Sequence, residues 1–225
     1  GQKVPLGLRE GDPENAALVK DLLASLIERG FTLACEFLLA VLDGAKALKA
    51  AVKAVWGERV LIQRCWIHKL RNIREYIPEN CHAQLYGRMK KIMGLNSAIS
   101  ARGELQNLKD WLGTISVDAA ASLAECGEEI LTVHGLGITG DLRKSLTSTN
   151  IIESLIGIVK NKSRRVSNWK YHPGLKRKIP RDKVLRWAAS AIESHRSKLR
   201  RLRGHKNMNL LEISLNKVAE MKISA

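Results

Sequence analysis

Two acidic residues, Asp43 and Glu153, have the type and placement that point most directly to chemistry. Asp43 closes the apolar run Phe37 to Leu42 and is followed by Gly44. A fully apolar run this short suits a strand buried on both faces. A carboxylate at the end of such a strand stands at the carboxyl edge of the sheet, where open α/β folds build their sites. Glu153 follows Ser148-Thr149-Asn150-Ile151-Ile152, a polar-to-apolar sequence that opens a helix. Magnesium prefers oxygen ligands, and two-metal sites align an attacking and a leaving oxygen at phosphorus. Carboxylates converging from separate elements would serve such a site. Each residue alone has a plainer reading, since Asp-Gly after an apolar run is commonly a turn and a helical Glu is commonly solvated.

Cys65-Trp66-Ile67-His68 is the next candidate. Cys and His at this spacing can form half of a zinc site, with Cys81 and His82 as possible partners. They can equally be a buried thiol and a polar residue at a helix start. A third reading puts His68 beside the carboxylates, contacting phosphate or orienting a ligand. There is no phosphate-cradling Gly-rich Lys-Ser/Thr loop and no Gly-x-Ser-x-Gly turn. Gly135-Leu136-Gly137-Ile138-Thr139-Gly140 has dinucleotide spacing but follows no predicted strand.

The elements that would position these residues alternate. Lys3–Leu8 reads as a strand edge. Asp12 and Pro13 offer an N-cap and first turn for a helix over 14–29 that Gly30 ends. The strand to Leu42 follows, then a helix over 45–55, a strand over 60–66, and a helix from Ile67 to about Tyr76, before Pro78. Strand and helix in turn argue for an α/β layer arrangement. Residues 79–145 keep helical periodicity with no strand signal and read as a helical insertion. The predicted division is therefore 1–78, 79–145 and 146–225. The last part holds the Glu153 helix, a basic loop over 170–180, a basic amphipathic helix over 184–203 with Leu185, Ala188, Ile192 and Leu199 inward, and an apolar docking segment.

Charge is distributed unevenly. The 225 residues carry a net +16, yet residues 1–156 hold 19 Lys/Arg against 18 Asp/Glu. Residues 157–206 hold 17 Lys/Arg against only Asp182 and Glu193. Such clustering is the footprint of a polyanion-binding surface. Trp169, Tyr171, His172 and Trp187 are interleaved with the cations and can stack on bases or sugars, which favours nucleic acid. Lys160, Lys162, Arg164, Arg165, Trp169, Lys176, Arg177, Lys178 and Arg186, with Arg71 beside the Cys-His pair, are the expected DNA contacts. The four cysteines read as reduced thiols of a cytosolic-type compartment. No apolar stretch approaches the roughly 20 residues needed to span a bilayer, so no membrane association is expected.

Several of these stretches, in order, resemble the Mutator-type transposases of bacterial insertion sequences. Gly1-Gln2-Lys3, Leu6-Gly7-Leu8, Glu10-Gly11, Glu14-Asn15 and Glu28-Arg29-Gly30 are similar to the family's lead-in. Leu42-Asp43-Gly44-Ala45-Lys46-Ala47-Leu48 resembles the segment holding its second catalytic Asp. Gln63-Arg64-Cys65-Trp66-Ile67-His68-Lys69-Leu70-Arg71-Asn72 resembles its Cys-x-x-His signature with the following Arg-Asn. Ser148 to Ser154 resembles the segment holding the catalytic Glu, and Arg186-Trp187 and Arg203-Gly204-His205-Lys206 fit the end of the pattern. The resemblance implies an RNase H-like core, here partial with its first strands missing, an α-helical insertion and a basic helical C-terminal region. It implies a DDE-type transposase in which Asp43 and Glu153 bind two Mg²⁺ or Mn²⁺ ions, with Cys65, His68 and Asn150 as auxiliary residues. It implies DNA partners (transposon ends and target), a homo-oligomer, and a bacterial cytoplasmic, nucleoid-associated location. The family's first Asp would precede Gly1, so the chain is expected to be a C-terminal part, inactive alone. The alternative is a basic DNA-binding module without catalysis; a zinc-stabilised structural domain is a further reading.

Overall fold

A computed structural model describes residues 1–11, 15–164, 166 and 183–223. Helix α1 (Ala16–Glu28) starts where the Asn15 side chain accepts from the N–H groups of Ala17 and Leu18. The cap is thus Asn15; the expected cap Asp12 and Pro13 lie outside the described residues. Strand β1 (Leu38–Leu42), helix α2 (Lys46–Trp56), strand β2 (Val60–Arg64) and helix α3 (Trp66–Arg74) follow. Then come α4 (His82–Gly94), α5 (Ala98–Gly113), α6 (Val117–Glu125), a 3₁₀ turn over Gly127–Leu131, α7 (Thr132–Gly135) and α8 (Gly140–Leu146). Helices α9 (Asn150–Ser163), α10 (Lys183–Arg196) and α11 (Met208–Ile223) complete the order. The chain is a mixed α/β protein, mostly helical, with helix throughout the segment where no strand was expected.

β1 and β2 pair in parallel, Leu38 opposite Val60 through Leu42 opposite Arg64. Period-2 alternation sends Leu38, Ala40, Leu42, Val60 and Ile62 to one face, where Leu23 of α1 and Val52 and Trp56 of α2 cover them. Leu39 and Leu61 point to the other face, against Val133, Leu136, Leu142, Leu211 and Leu215 from α7, α8 and α11. The apolar docking segment is therefore α11. A larger core joins Leu70 and Ile73 of α3 to Leu85, Met89, Leu108, Leu112 and Leu123 of α4–α6.

Four expectations need correcting. β1 is only half-buried along its length, whereas β2 is nearly all buried. Among the described residues no strand pairs with the far edge of β1, so that edge has no strand partner. Residues 3–8 form no strand; the Leu6 carbonyl accepts from the Arg29 guanidinium at 2.9 Å instead of from a neighbouring strand. β2 stops at Arg64, because Cys65 is already the N-cap of α3. The basic helix is shorter than expected, Lys183–Arg196, with Ala188 and Ala191 as its buried residues.

His134 of α7 is buried at 2% exposure near Arg143, whose guanidinium donates to the carbonyls of Gly94 and Leu95. Burial, and then the Arg143 charge, lower the imidazole from 6.5 to about 4. Because the folded value is depressed, the unfolded chain takes up the proton first as pH falls. Stability should therefore decline between about pH 6.5 and 4, by on the order of 3 kcal/mol. Urea denaturation across this window should show the loss, and His134→Leu should flatten it. An unchanged slope in the variant would assign the effect to another group.

Candidate functional site at the carboxyl edge of the sheet

Because β1 and β2 are parallel, both strands leave the sheet at one edge. Asp43 follows β1 and Cys65 follows β2, and the Cys65 N–H donates to the Leu42 carbonyl at 2.7 Å. Asp43 turns back on its own loop, where Oδ1 accepts from the Ala45 N–H at 3.0 Å. Gly44 between them has φ of +112°, a conformation that L side chains rarely adopt. A Cβ there would also lie 2.5 Å from the Arg64 guanidinium. The glycine is thus required by backbone and by packing.

The second half of the site arrives from far along the chain. The Trp66 N–H donates to the Thr147 carbonyl at 3.2 Å, which docks the start of α9 on the start of α3. Thr147, Ser148 and Thr149 are buried in consequence. The Thr149 N–H donates to Cys65 Sγ at 3.3 Å, and Thr149 Oγ1 lies 3.4 Å from the same sulfur. One helical turn on, Glu153 Oε1 accepts from Thr149 Oγ1 at 2.8 Å. A hydroxyl has one proton, and the short approach to the carboxylate assigns it there. His68, one turn into α3, brings Nδ1 to 3.1 Å from Thr149 Oγ1, 3.3 Å from Cys65 Sγ and 3.6 Å from Glu153 Oε1. Arg71 Nη1 is 3.8 Å from Glu153 Oε2, too far for a hydrogen bond. Cys65 is buried, whereas the side chains of His68 and Glu153 are 27% and 34% exposed, so the cluster opens to solvent on one side.

A family model described as "Transposase, Mutator family" matches residues 1–178. The chain belongs to the Mutator family of transposases. It is 26% identical over 164 residues to the transposase of insertion sequence IS6120 from Mycolicibacterium smegmatis, a match covering 73% of this chain and 49% of that protein. It is likewise 26% identical over 168 residues to the transposase of IST2 from Acidithiobacillus ferrooxidans, covering 75% of this chain and 55% of the relative. The chain spans about half the length of the curated relatives it matches. No solved structure matches.

Within this family member, Glu153, Cys65 and His68 are brought together, and Asp43 stands one strand away at the same edge without joining their cluster. Asn150 opens α9, is exposed, and makes no side-chain hydrogen bond among the described residues. The zinc alternative loses its second half. Cys81 and His82 stand apart from Cys65 and His68, and the His82 ring is held against the carbonyls of Arg74 and Ile77. The reading of His68 as a neighbour of Glu153 matches the geometry. Among the basic candidates, Arg71 lies at the rim of the cluster, and Lys160, Lys162 and Arg164 are exposed at the end of α9. Lys162 donates to Ser194 Oγ at 2.7 Å, tying α9 to α10, on which Arg186 is also exposed. Arg165, Trp169, Lys176, Arg177 and Lys178 lie outside the described residues.

Sequence reasoning missed the supports beneath this edge. Gln63 is fully buried and donates to the carbonyls of Arg64 and Ile130 while accepting from the Val133 N–H. Arg64 and Lys69, both buried, converge on Glu125 of α6 at 2.9 and 2.7 Å. Burial acts to raise the Glu125 carboxyl, but the hydrogen bond and charge of Lys69, then those of Arg64, outweigh it and lower it. The signal available was Gln63-Arg64, two polar residues where an apolar strand ends. A sequence cannot show which carboxylate, 61 positions away, answers Arg64.

Glu125→Gln should leave two buried cations without a countercharge. The expected loss is about 1–3 kcal/mol in urea denaturation. That is below the ~3–5 kcal/mol of a fully buried pair, since the Glu125 side chain is 45% exposed and water screens part of the interaction. Wild-type stability in the variant would mean that Arg64 and Lys69 are balanced elsewhere.

Proposed function

We propose that this chain is a catalytic part of a DDE-type DNA transposase, with Asp43 and Glu153 as two of its metal-binding carboxylates. The observation that carries the reading is their common sheet edge. Asp43 ends β1, and Glu153 reaches the neighbouring strand end through Thr149 and Cys65. On this reading β1 and β2 belong to an RNase H-like core, residues 79–145 are an insertion, and the remaining carboxylate lies outside the motifs matched here.

The donor set suits Mg²⁺ or Mn²⁺, which take carboxylate oxygens. Asp43 Oδ2 and Glu153 Oε2 have no hydrogen-bond donor among the described residues and are available as ligands. Bound divalent ions would supply charge neutralisation at the phosphoryl group and activation of the attacking oxygen. The protein's own residues supply positioning. The Ala45 N–H holds the Asp43 carboxylate, the Thr149 hydroxyl holds Oε1 of Glu153, and Arg71 offers a cation at the rim. The basic stretch 157–206 would contact the phosphates of transposon-end and target DNA, with a homo-oligomer assembled on the DNA and the reaction taking place in the bacterial cytoplasm. The second reading, a DNA-binding module without catalysis, is favoured only by the concentration of charge in that stretch.

Metal binding separates the two. Titrating Mn²⁺ into the chain, followed by electron paramagnetic resonance, should show binding that Asp43→Ala and Glu153→Ala each weaken by about tenfold or more, at least 1.4 kcal/mol. DNA affinity should be unchanged in both variants. Equal Mn²⁺ binding in wild type and variants would favour the module. The isolated 225 residues should not cleave DNA, and metal-dependent cleavage lost in Asp43→Ala would contradict the missing-carboxylate reading.

Joint neutralisation of Arg164, Arg165, Lys176, Arg177 and Lys178 should weaken DNA binding for all sequences alike. The slope of log affinity against log salt should fall by about 0.9 for each phosphate that is no longer neutralised. An unchanged slope would place the DNA on another surface.

A further inference from the structure

The hydrogen bonds around Cys65 leave a geometric coincidence that a carboxylate site for magnesium does not require. Four atoms able to donate lone pairs, Cys65 Sγ, His68 Nδ1, Glu153 Oε1 and Thr149 Oγ1, cluster together. Five of their six separations are 3.3, 3.6, 3.4, 3.1 and 2.8 Å. The sixth, from sulfur to carboxylate oxygen, is within 4.8 Å. Four ligands arranged tetrahedrally about zinc at ~2.0–2.3 Å lie roughly 3.4 Å from one another. Five of the six separations are therefore already close to those of a four-coordinate zinc centre. The four atoms come from two elements, α3 with its N-cap and the first turn of α9, which the Trp66–Thr147 backbone bond holds in register.

We propose that Cys65, His68 and Glu153 bind a single tetrahedral transition-metal ion of the zinc class, with the fourth corner at Thr149 Oγ1 or a water that replaces it. The donor chemistry selects the ion. A thiolate and an imidazole are soft and borderline ligands that suit Zn²⁺ or Co²⁺ and are poor for Mg²⁺. The sulfur accepts from the Thr149 N–H at 3.3 Å and lies 3.3 Å from His68 Nδ1, contacts that hold it facing the imidazole. Burial of Cys65 below and partial exposure of His68 and Glu153 above give a closed floor and an open entry. Binding needs His68 to carry its proton on Nε2, leaving the Nδ1 lone pair for the ion. This site is distinct from a structural zinc site built on two Cys-His pairs, because Cys81 and His82 take no part.

Glu153 then belongs to two sites. If the proposed function holds, and this consequence rests on it, zinc at Oε1 and the Mg²⁺ or Mn²⁺ at Oε2 face each other across one carboxylate, and their like charges weaken each other's binding. Zinc would act as an inhibitor of metal loading at that edge.

Cobalt(II) added to the reduced, metal-free chain tests the site. A thiolate-to-cobalt charge-transfer band in the near ultraviolet should appear with the strong visible bands of a four-coordinate ion. Zn²⁺ should displace it at one equivalent. Cys65→Ser should lose the charge-transfer band while circular dichroism shows the fold intact, and His68→Ala should weaken binding by at least the ~10–100-fold that even an outer-shell partner costs. Absence of the band in the folded protein, or its persistence in Cys65→Ser through Cys35, Cys81 or Cys126, would overturn the proposal. Asp43→Ala keeps the two ideas separate. It should leave the cobalt spectrum unchanged while weakening Mn²⁺, and an unchanged Mn²⁺ affinity there would sink the carboxylate site without touching this one.

Discussion

Residue 65 is the joint on which the site depends. Its backbone N–H closes on the Leu42 carbonyl and fixes where β1 ends relative to β2. Its sulfur meets the N–H and hydroxyl of Thr149, so the start of α9 sits on the start of α3. The next residue repeats the tie through the Trp66–Thr147 bond. Three segments that are distant in sequence therefore share one edge of a two-stranded sheet. Two strands alone make a marginal sheet, and here helices on both faces cover it. Removing the Cys65 side chain would take away one tie between Glu153 and the strand ends, leaving the Trp66–Thr147 bond and the Thr149–His68 contact to hold α9 on α3.

Beneath that joint lies an uneven balance of charge. Arg64 and Lys69 are both buried, and Glu125 answers both. Arg64 also lies so close to Gly44 that the Asp43 turn and the buried cation constrain each other. The helical segment 79–145 is thus more than an appendage. Its helix α6 supplies the countercharge for the strand that carries the site, and its 3₁₀ turn receives the buried Gln63 amide.

Much of this was legible in the sequence. The Asp43 turn, both strands, the Gly30 helix end and the helical character of 79–145 follow from apolar periodicity and from glycine's access to positive φ. The proximity of His68 to Glu153 was one of several open readings, because spacing within a segment says nothing about which distant segment packs against it. Thr149 stands in a polar stretch that signals only a helix start, although its hydroxyl is the atom that links sulfur, imidazole and carboxylate. The half-burial of β1 and the lack of a strand at 3–8 were not legible, because they depend on what lies beside an edge. Glu125 was not legible either, since nothing local distinguishes it from an ordinary helical carboxylate.

The claim that one sheet edge gathers Asp43 and Glu153 into a shared metal site can be tested by crystallography with Mn²⁺. Crystals soaked in Mn²⁺ and measured near its absorption edge should show an anomalous peak within coordinating distance of carboxylate oxygens from both residues. A peak bound by only one of them, or density elsewhere with both carboxylates unliganded, would contradict the account.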